Sequence, residues 1–136
     1  VSSVLPPRWH TQSQQPVTLQ ESEPEPDVAV VRGEIRDYAR QHPTAADVAV
    51  LIEAADSSLR EDRTVKGPIY AAAGVPVYWI INLIDETIEV YTEPAAAEEA
   101  RPAEYRSRRT FTREQAVPLV IDGRTVAEIP AAELLP

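Results

Sequence analysis

One segment narrows the fold more than any other. Within residues 46–55 (ADVAVLIEAA), the run Val48–Ala54 is apolar on both faces of an extended strand, except for Glu53. A strand that lacks polar alternation is one covered on both sides, so it belongs at the centre of a sheet. The next segment changes period. From Ser57 to Ala73, the residues Leu59, Asp62, Lys66 and Tyr70 recur at intervals of three or four and line one stripe of a helix. Ser58 with Glu61 three places on reads as a capping box, and Gly74 as the stop. Gly67-Pro68 interrupts the helix, and the missing proline N–H predicts a bend. Val77–Leu83 then reads as a second strong strand, with Ile88–Thr92 as its hairpin partner. Strand, returning helix and strand predict an α/β or α+β fold with a mixed sheet.

The flanks are less sharply patterned. Residues 1–14 are polar and broken by proline, and read as loop with a short strand near Val4-Leu5. The chain starts at Val1 without methionine, so 1–14 is expected to be a flexible or incomplete N-terminal segment ahead of a single domain over 15–136. Gln15–Gln20 alternates and reads as an edge strand, Pro16 being tolerated near its start. Asp27–Arg32 is a short apolar strand opened by an acid, and Gly33–Gln41 a short helix or loop. Pro94–Pro102 reads as linker. Glu104–Thr110, Val117–Ile121 and Thr125–Ile129 read as strands, the last two joined by a tight turn at Asp122-Gly123, and Ala131–Leu135 as a final helical turn.

Composition removes several chemistries. There is no cysteine, so thiol nucleophiles, disulfides and thiolate metal sites are excluded. Two histidines, 32 residues apart, are too few for an imidazole zinc site. Four glycines leave no phosphate-cradling loop of the Walker or dinucleotide type. No apolar run reaches the roughly 20 residues of a membrane span, which predicts a soluble, cytoplasmic protein.

What remains is acid and lysine chemistry. Glu53 violates the pattern of the most buried strand, and such violations mark functional sites. Asp27 opens the neighbouring strand. Twelve of the thirteen basic residues are arginine, and the one lysine is Lys66. Thirteen positions separate it from Glu53, enough for the chain to turn and bring the ammonium back to the acid. Two carboxylates and a lysine at one point suit phosphodiester hydrolysis. The carboxylates would hold Mg²⁺ or Mn²⁺, and the lysine would steady charge on the phosphoryl oxygens. Glu25 is a candidate outer acid, Gln15 a water-positioning amide, and the carbonyls of Ala54 and Ala55 are further oxygen donors.

These residues carry a resemblance. QPVTLQESEPEPDVAVV and ADVAVLIEAADSSLREDRTVKGPIYAAAGVPVYWIINL resemble the catalytic strand and signature segment of the Uma-type restriction endonuclease family, a branch of the PD-(D/E)XK nuclease superfamily. The strand glutamate, Ser-Ser-Leu, Asp-Arg, Lys, Tyr-Ala, Ala-Gly-Val-Pro and Tyr-Trp elements come in the family's order. The resemblance implies a restriction-endonuclease-like core, a mixed sheet flanked by helices, with Pro26-Asp27 as the Pro-Asp and Glu53 as the strand acid. The superfamily lysine position, two residues after that acid, is Ala55 here. Lys66 takes its place on the following helix, with Asp62 and Tyr70 as supporting residues. Members of the family begin with a further strand and helix, so a preceding segment is expected.

The implied activity is a metal-dependent endonuclease with DNA as partner. Two alternatives stay open: a catalytically inactive relative acting as a binding or homodimerisation module, and a phosphoesterase of smaller substrates. A net charge of −9 opposes non-specific DNA binding. The charge is uneven, however. Residues 101–124 hold six arginines against three acids, and Arg106, Arg108, Arg109 and Arg113 are the expected DNA contacts.

Overall fold

The computed structural model describes residues 1–136, and its centre is a parallel pair. Strand β3 (Val48–Ala55) runs beside β4 (Val77–Asn82), register Glu53 opposite Ile80. A parallel neighbour requires a crossover, and the helix predicted between them supplies it. Antiparallel strands extend the sheet on both sides: β2 (Val28–Arg32) and β1 (Trp9–Ser13) beyond β3, β5 (Thr87–Ala95) and β6 (Glu104–Phe111) beyond β4. The order is β1-β2-β3-β4-β5-β6, so β3 and β4 are central as their apolar runs predict. A separate hairpin, β7 (Ala116–Ile121) and β8 (Arg124–Pro130), turns through Asp122 and Gly123, both at positive φ, and leads into α3 (Ala131–Leu134).

The crossover is one continuous helix of three parts: α1 (Leu59–Glu61), a π turn (Asp62–Lys66) and α2 (Gly67–Ala72). The predicted interruption takes the form of this π turn. Gly67 N–H bonds the Asp62 carbonyl five residues back, directly before Pro68, which has no N–H to continue the α ladder. Gly74, at φ +78°, closes the helix, with Val75 N–H returning to the Tyr70 carbonyl at 3.1 Å.

The sheet is covered on both faces, forming three layers. On one face the β7–β8 hairpin and α3 bury Val117, Leu119, Ile121 and Ile129 against Val50, Ile52, Trp79, Ile88 and Phe111. On the other, the crossover helix and the 17–19 loop pack Tyr70, Val75, Val17 and Leu19 against Leu51, Tyr78 and Ile80. No helix is long and apolar enough to cross a membrane.

Two local expectations are corrected. Gln15–Gln20 is no strand. Val17 N–H bonds the Pro24 carbonyl and Leu19 N–H that of Ser22, folding the segment back on itself, while Thr18 makes one isolated bridge to Thr44. The edge strand comes instead from Trp9–Ser13, inside the segment read as loop, and Ser2–Val4 is a 3-10 turn. In β1 every residue is partly or fully exposed, so no apolar alternation announces it.

Candidate functional site

At the C-terminal end of β3, Glu53 points to the helix-covered face and is 2% exposed. Both its oxygens are engaged. Oε1 accepts from the Asp27 backbone N–H at 3.2 Å. Oε2 accepts from the Tyr70 hydroxyl at 2.8 Å and lies 3.3 Å from Lys66 Nζ. Asp27 reciprocates, its Oδ2 accepting from Ala54 N–H at 2.7 Å. Backbone pairing of β2 with β3 ends at Val28–Ile52. One step beyond, the Asp27 side chain satisfies a strand amide that no partner strand reaches.

Lys66 bridges two buried carboxylates. Its ammonium is 3.2 Å from Asp62 Oδ1, and Asp62 is 1% exposed. Asp62 Oδ2 accepts from Ser58 Oγ at 2.9 Å, and the Asp62 carbonyl from the Tyr78 hydroxyl at 3.0 Å. Oδ1 has no hydrogen bond of good geometry, leaving the ammonium as its one close partner. The Ser58 capping box is therefore corrected: its hydroxyl caps no amide and holds Asp62 instead. The π turn carries both Asp62 and Lys66, and such turns recur at functional sites because they re-aim side chains.

Burial pushes the Glu53 carboxyl above its usual range, and the Tyr70 hydroxyl and Lys66 only partly pull it back. Burial also works against a charged Lys66, but Glu53 and Asp62 outweigh it and hold the ammonium above its ordinary value. Burial and the adjoining Glu53 push Tyr70 far up, so its hydroxyl is a fixed donor.

The other candidates lie apart. Gln15 and Glu25 are exposed, and no hydrogen bond joins them to the site. Ala55 contributes its carbonyl to Leu83 N–H at 2.9 Å. The four arginines do not form one face. Arg113 pairs with Glu86 at 2.6 Å, and Arg106 lies 3.9 Å from Glu98. Neighbours on β6, Arg108 and Arg109 point to opposite sides of the sheet: Arg108 to Glu89 at 3.3 Å, Arg109 over the Phe111 ring at 4.8 Å.

That Glu89 centre is absent from the sequence reading. Glu89 is 1% exposed and takes four donors. Arg63 forks onto both its oxygens, Tyr91 donates to Oε1 at 2.6 Å, Asn82 donates to Oε2 at 3.0 Å, and Arg108 closes the set. Burial alone would raise its carboxyl, yet the Arg63 bonds, with Tyr91, Asn82 and Arg108, hold it below the usual range. In IEVYT the glutamate alternates with apolar residues and so reads as facing solvent. The helix covers that face, and a signal was present in Arg63, one helical neighbour of Lys66.

Asp27 and Glu53 are the carboxylates from which a divalent cation could draw oxygen donors. No group of three His, Cys, Asp or Glu side chains forms a closed cage. Asp27 and Glu53 adjoin, and hydrogen bonding engages only Oδ2 of Asp27. Mg²⁺ keeps several waters and commonly takes one or two carboxylates together with substrate phosphates, which is the set these two residues could offer.

Comparison with known proteins agrees with this architecture. A search among curated proteins finds no match. The crystal structure of "a putative nuclease belonging to DUF820" from Anabaena variabilis ATCC 29413 superposes with a TM-score of 0.69 at 19% identity, over 98% of this chain and 72% of that one. At that identity the likeness is one of fold: a mixed sheet flanked by short helices, in the restriction-endonuclease-like arrangement. Residues 3–127 match the Uma2 family, described as "Putative restriction endonuclease". With that match spanning nearly the whole chain, and with the family's fold around it, this protein belongs to the Uma2 family.

Proposed function

We propose that this domain is a metal-dependent endonuclease that hydrolyses phosphodiester bonds in DNA. The observation that carries the reading is buried Glu53, whose Oε2 lies 3.3 Å from the Lys66 ammonium and whose Oε1 accepts from the Asp27 backbone N–H. A divalent ion, Mg²⁺ or Mn²⁺, would polarise the scissile phosphate and acidify a bound water. Asp27 and Glu53 would hold it. Lys66, kept charged by its carboxylate neighbours, would stabilise negative charge building on the phosphoryl oxygens. Tyr70 fixes the orientation of Glu53 Oε2, and Asp62 holds Lys66 from the far side. Both are positioning residues. Glu53, destabilised as an anion by burial, gains from a cation that restores the charge compensation water no longer supplies.

A second reading rests on donor count: a nuclease-fold module that binds or dimerises without hydrolysis. Glu53 has both oxygens engaged, and no third carboxylate, histidine or cysteine completes a metal cage. On donors alone this reading is the better supported. One experiment separates the two. Supercoiled plasmid is incubated with the full chain and with Glu53→Ala in Mg²⁺ or Mn²⁺. Nicking by the parent, reduced at least about 100-fold in the variant, is expected for the endonuclease. No nicking by either, with DNA binding or dimer formation kept in both, establishes the second reading. Equal nicking by both removes Glu53 from the site.

A further inference from the structure

Two charge clusters lie side by side on the helix-covered face of the sheet, and their signs are opposite. Glu53 and Asp62 flank the single ammonium of Lys66, an excess of negative charge, and Asp27 adjoins Glu53 through its backbone N–H. Glu89 faces the guanidiniums of Arg63 and Arg108, an excess of positive charge. Glu53, Ile80 and Glu89 stand in one cross-strand row. The two centres are thus two strand spacings apart, about 10 Å. Arg63 and Lys66 lie three residues apart on the same π turn, so one helical turn supplies a cation to each.

Glu89 needs no outside partner, since Arg63, Tyr91, Asn82 and Arg108 saturate it. The guanidiniums do. Each carries five N–H donors, and Glu89 engages Nε and Nη2 of Arg63 and Nη2 of Arg108. Their side chains are 32% and 47% exposed. Glu89 fixes both, and Arg108 also rests 5.7 Å from the Tyr91 ring centre. Both guanidiniums are therefore held in place with donors to spare toward water. Beside Arg63 runs an open groove of about 500 Å³, lined in part by Ser57, Arg60 and Thr64. One acid, Asp56, and the apolar Leu59 and Ile84 complete its lining, and its two arginines and two hydroxyls are groups that suit a phosphate.

We propose that Arg63 and Arg108, clamped by Glu89, bind a backbone phosphate of the DNA strand next to the one presented to Asp27 and Glu53. A phosphodiester supplies the single negative charge this cluster lacks, and a guanidinium fork matches its oxygens. Neighbouring wells of opposite sign let a chain of net charge −9 engage a polyanion locally. The clamp rests on the DNA reading above and adds to it where the strand lies.

The test uses the full chain and a fluorescein-labelled DNA duplex, with anisotropy followed over a salt series in EDTA. Arg108→Gln leaves Glu89 with Arg63, Tyr91 and Asn82, so the fold is kept; Arg63→Gln is run beside it. Arg109→Gln removes the same charge from the opposite face. The clamp predicts that Arg108→Gln and Arg63→Gln each weaken binding about tenfold and lower the slope of log K against log salt by about 0.9. Arg109→Gln should do much less, and Arg108→Lys should restore the slope, which a purely structural role would not. Equal loss from Arg109→Gln makes the effect one of overall charge and overturns the clamp. If Arg63→Gln and Arg108→Gln bind like the parent while the parent nicks plasmid in Mn²⁺, the clamp is wrong and the endonuclease stands. A parent that neither binds nor nicks DNA removes both.

Discussion

Glu53 and Glu89 occupy the same row of the same sheet face and are equally buried, yet the protein treats them in opposite ways. Glu89 receives an arginine fork, a second arginine, an amide and a phenol, and its carboxyl sits below the usual range. Glu53 receives a phenol, one backbone N–H and a shared lysine, and its carboxyl sits above it. Burial penalises both anions alike; the supply of donors decides the outcome. One carboxylate is committed to structure. The other is an under-compensated anion, the state in which a further cation or a proton gains most.

The comparison makes graded predictions. Glu89→Gln should cost most, about 3 kcal/mol in urea unfolding, because it strips the charge partner from two guanidiniums. Both are partly exposed, so water softens the loss. A cost below about 1 kcal/mol would mean that the four donors do not hold Glu89 as an anion. Tyr70→Phe should cost about 1.5 kcal/mol, since it takes a buried donor from Glu53 Oε2. It should also push the Glu53 carboxyl higher still. Glu53→Gln should cost least, under about 1 kcal/mol, while abolishing the proposed cleavage.

The pH dependence of melting should then differ in sign. Glu89 adds stability above the ordinary glutamate range, and that stability is lost as pH falls through its lowered folded value. Relative to Glu89→Gln, the parent should therefore gain as pH rises across this window. Glu53 binds its proton more tightly when folded, so relative to Glu53→Gln the parent should lose stability as pH rises from the ordinary range through the raised value. Parallel profiles for the two pairs would erase the distinction.

The same pair shows how far the sequence could be read. Glu53 was legible because it breaks an otherwise apolar run, and Lys66 because it is the one lysine in a chain of arginines. Asp27 opened a strand, while Asp62 and Tyr70 lay on the helical stripe and took their supporting role from the family resemblance; Glu53 touches Asp27, Tyr70 and Lys66, and Lys66 touches Asp62. Glu89 was not legible. Alternation states which residues share a face, and it is silent on whether a distant helix covers that face. Arg108 and Arg109 show the same limit: adjacent in sequence, they are separated by the sheet's thickness. Gln15–Gln20 imitated a strand by alternation, but the Val17 and Leu19 amides bond back to Pro24 and Ser22, and Thr18 N–H reaches the Pro43 carbonyl. The polar β1 could not be told from loop because an edge strand half in water needs no apolar side.

The contact from Ala54 N–H to Asp27 Oδ2 has a dynamic consequence. That amide is protected by a side chain and not by a ladder, so its protection follows the occupancy of Asp27. A ligand that draws Asp27 Oδ2 away unfastens one amide at the tip of β3 and leaves the core amides as they were. Hydrogen exchange at Ala54 is thus a built-in reporter of whether Asp27 Oδ2 keeps this bond, readable without any turnover at all.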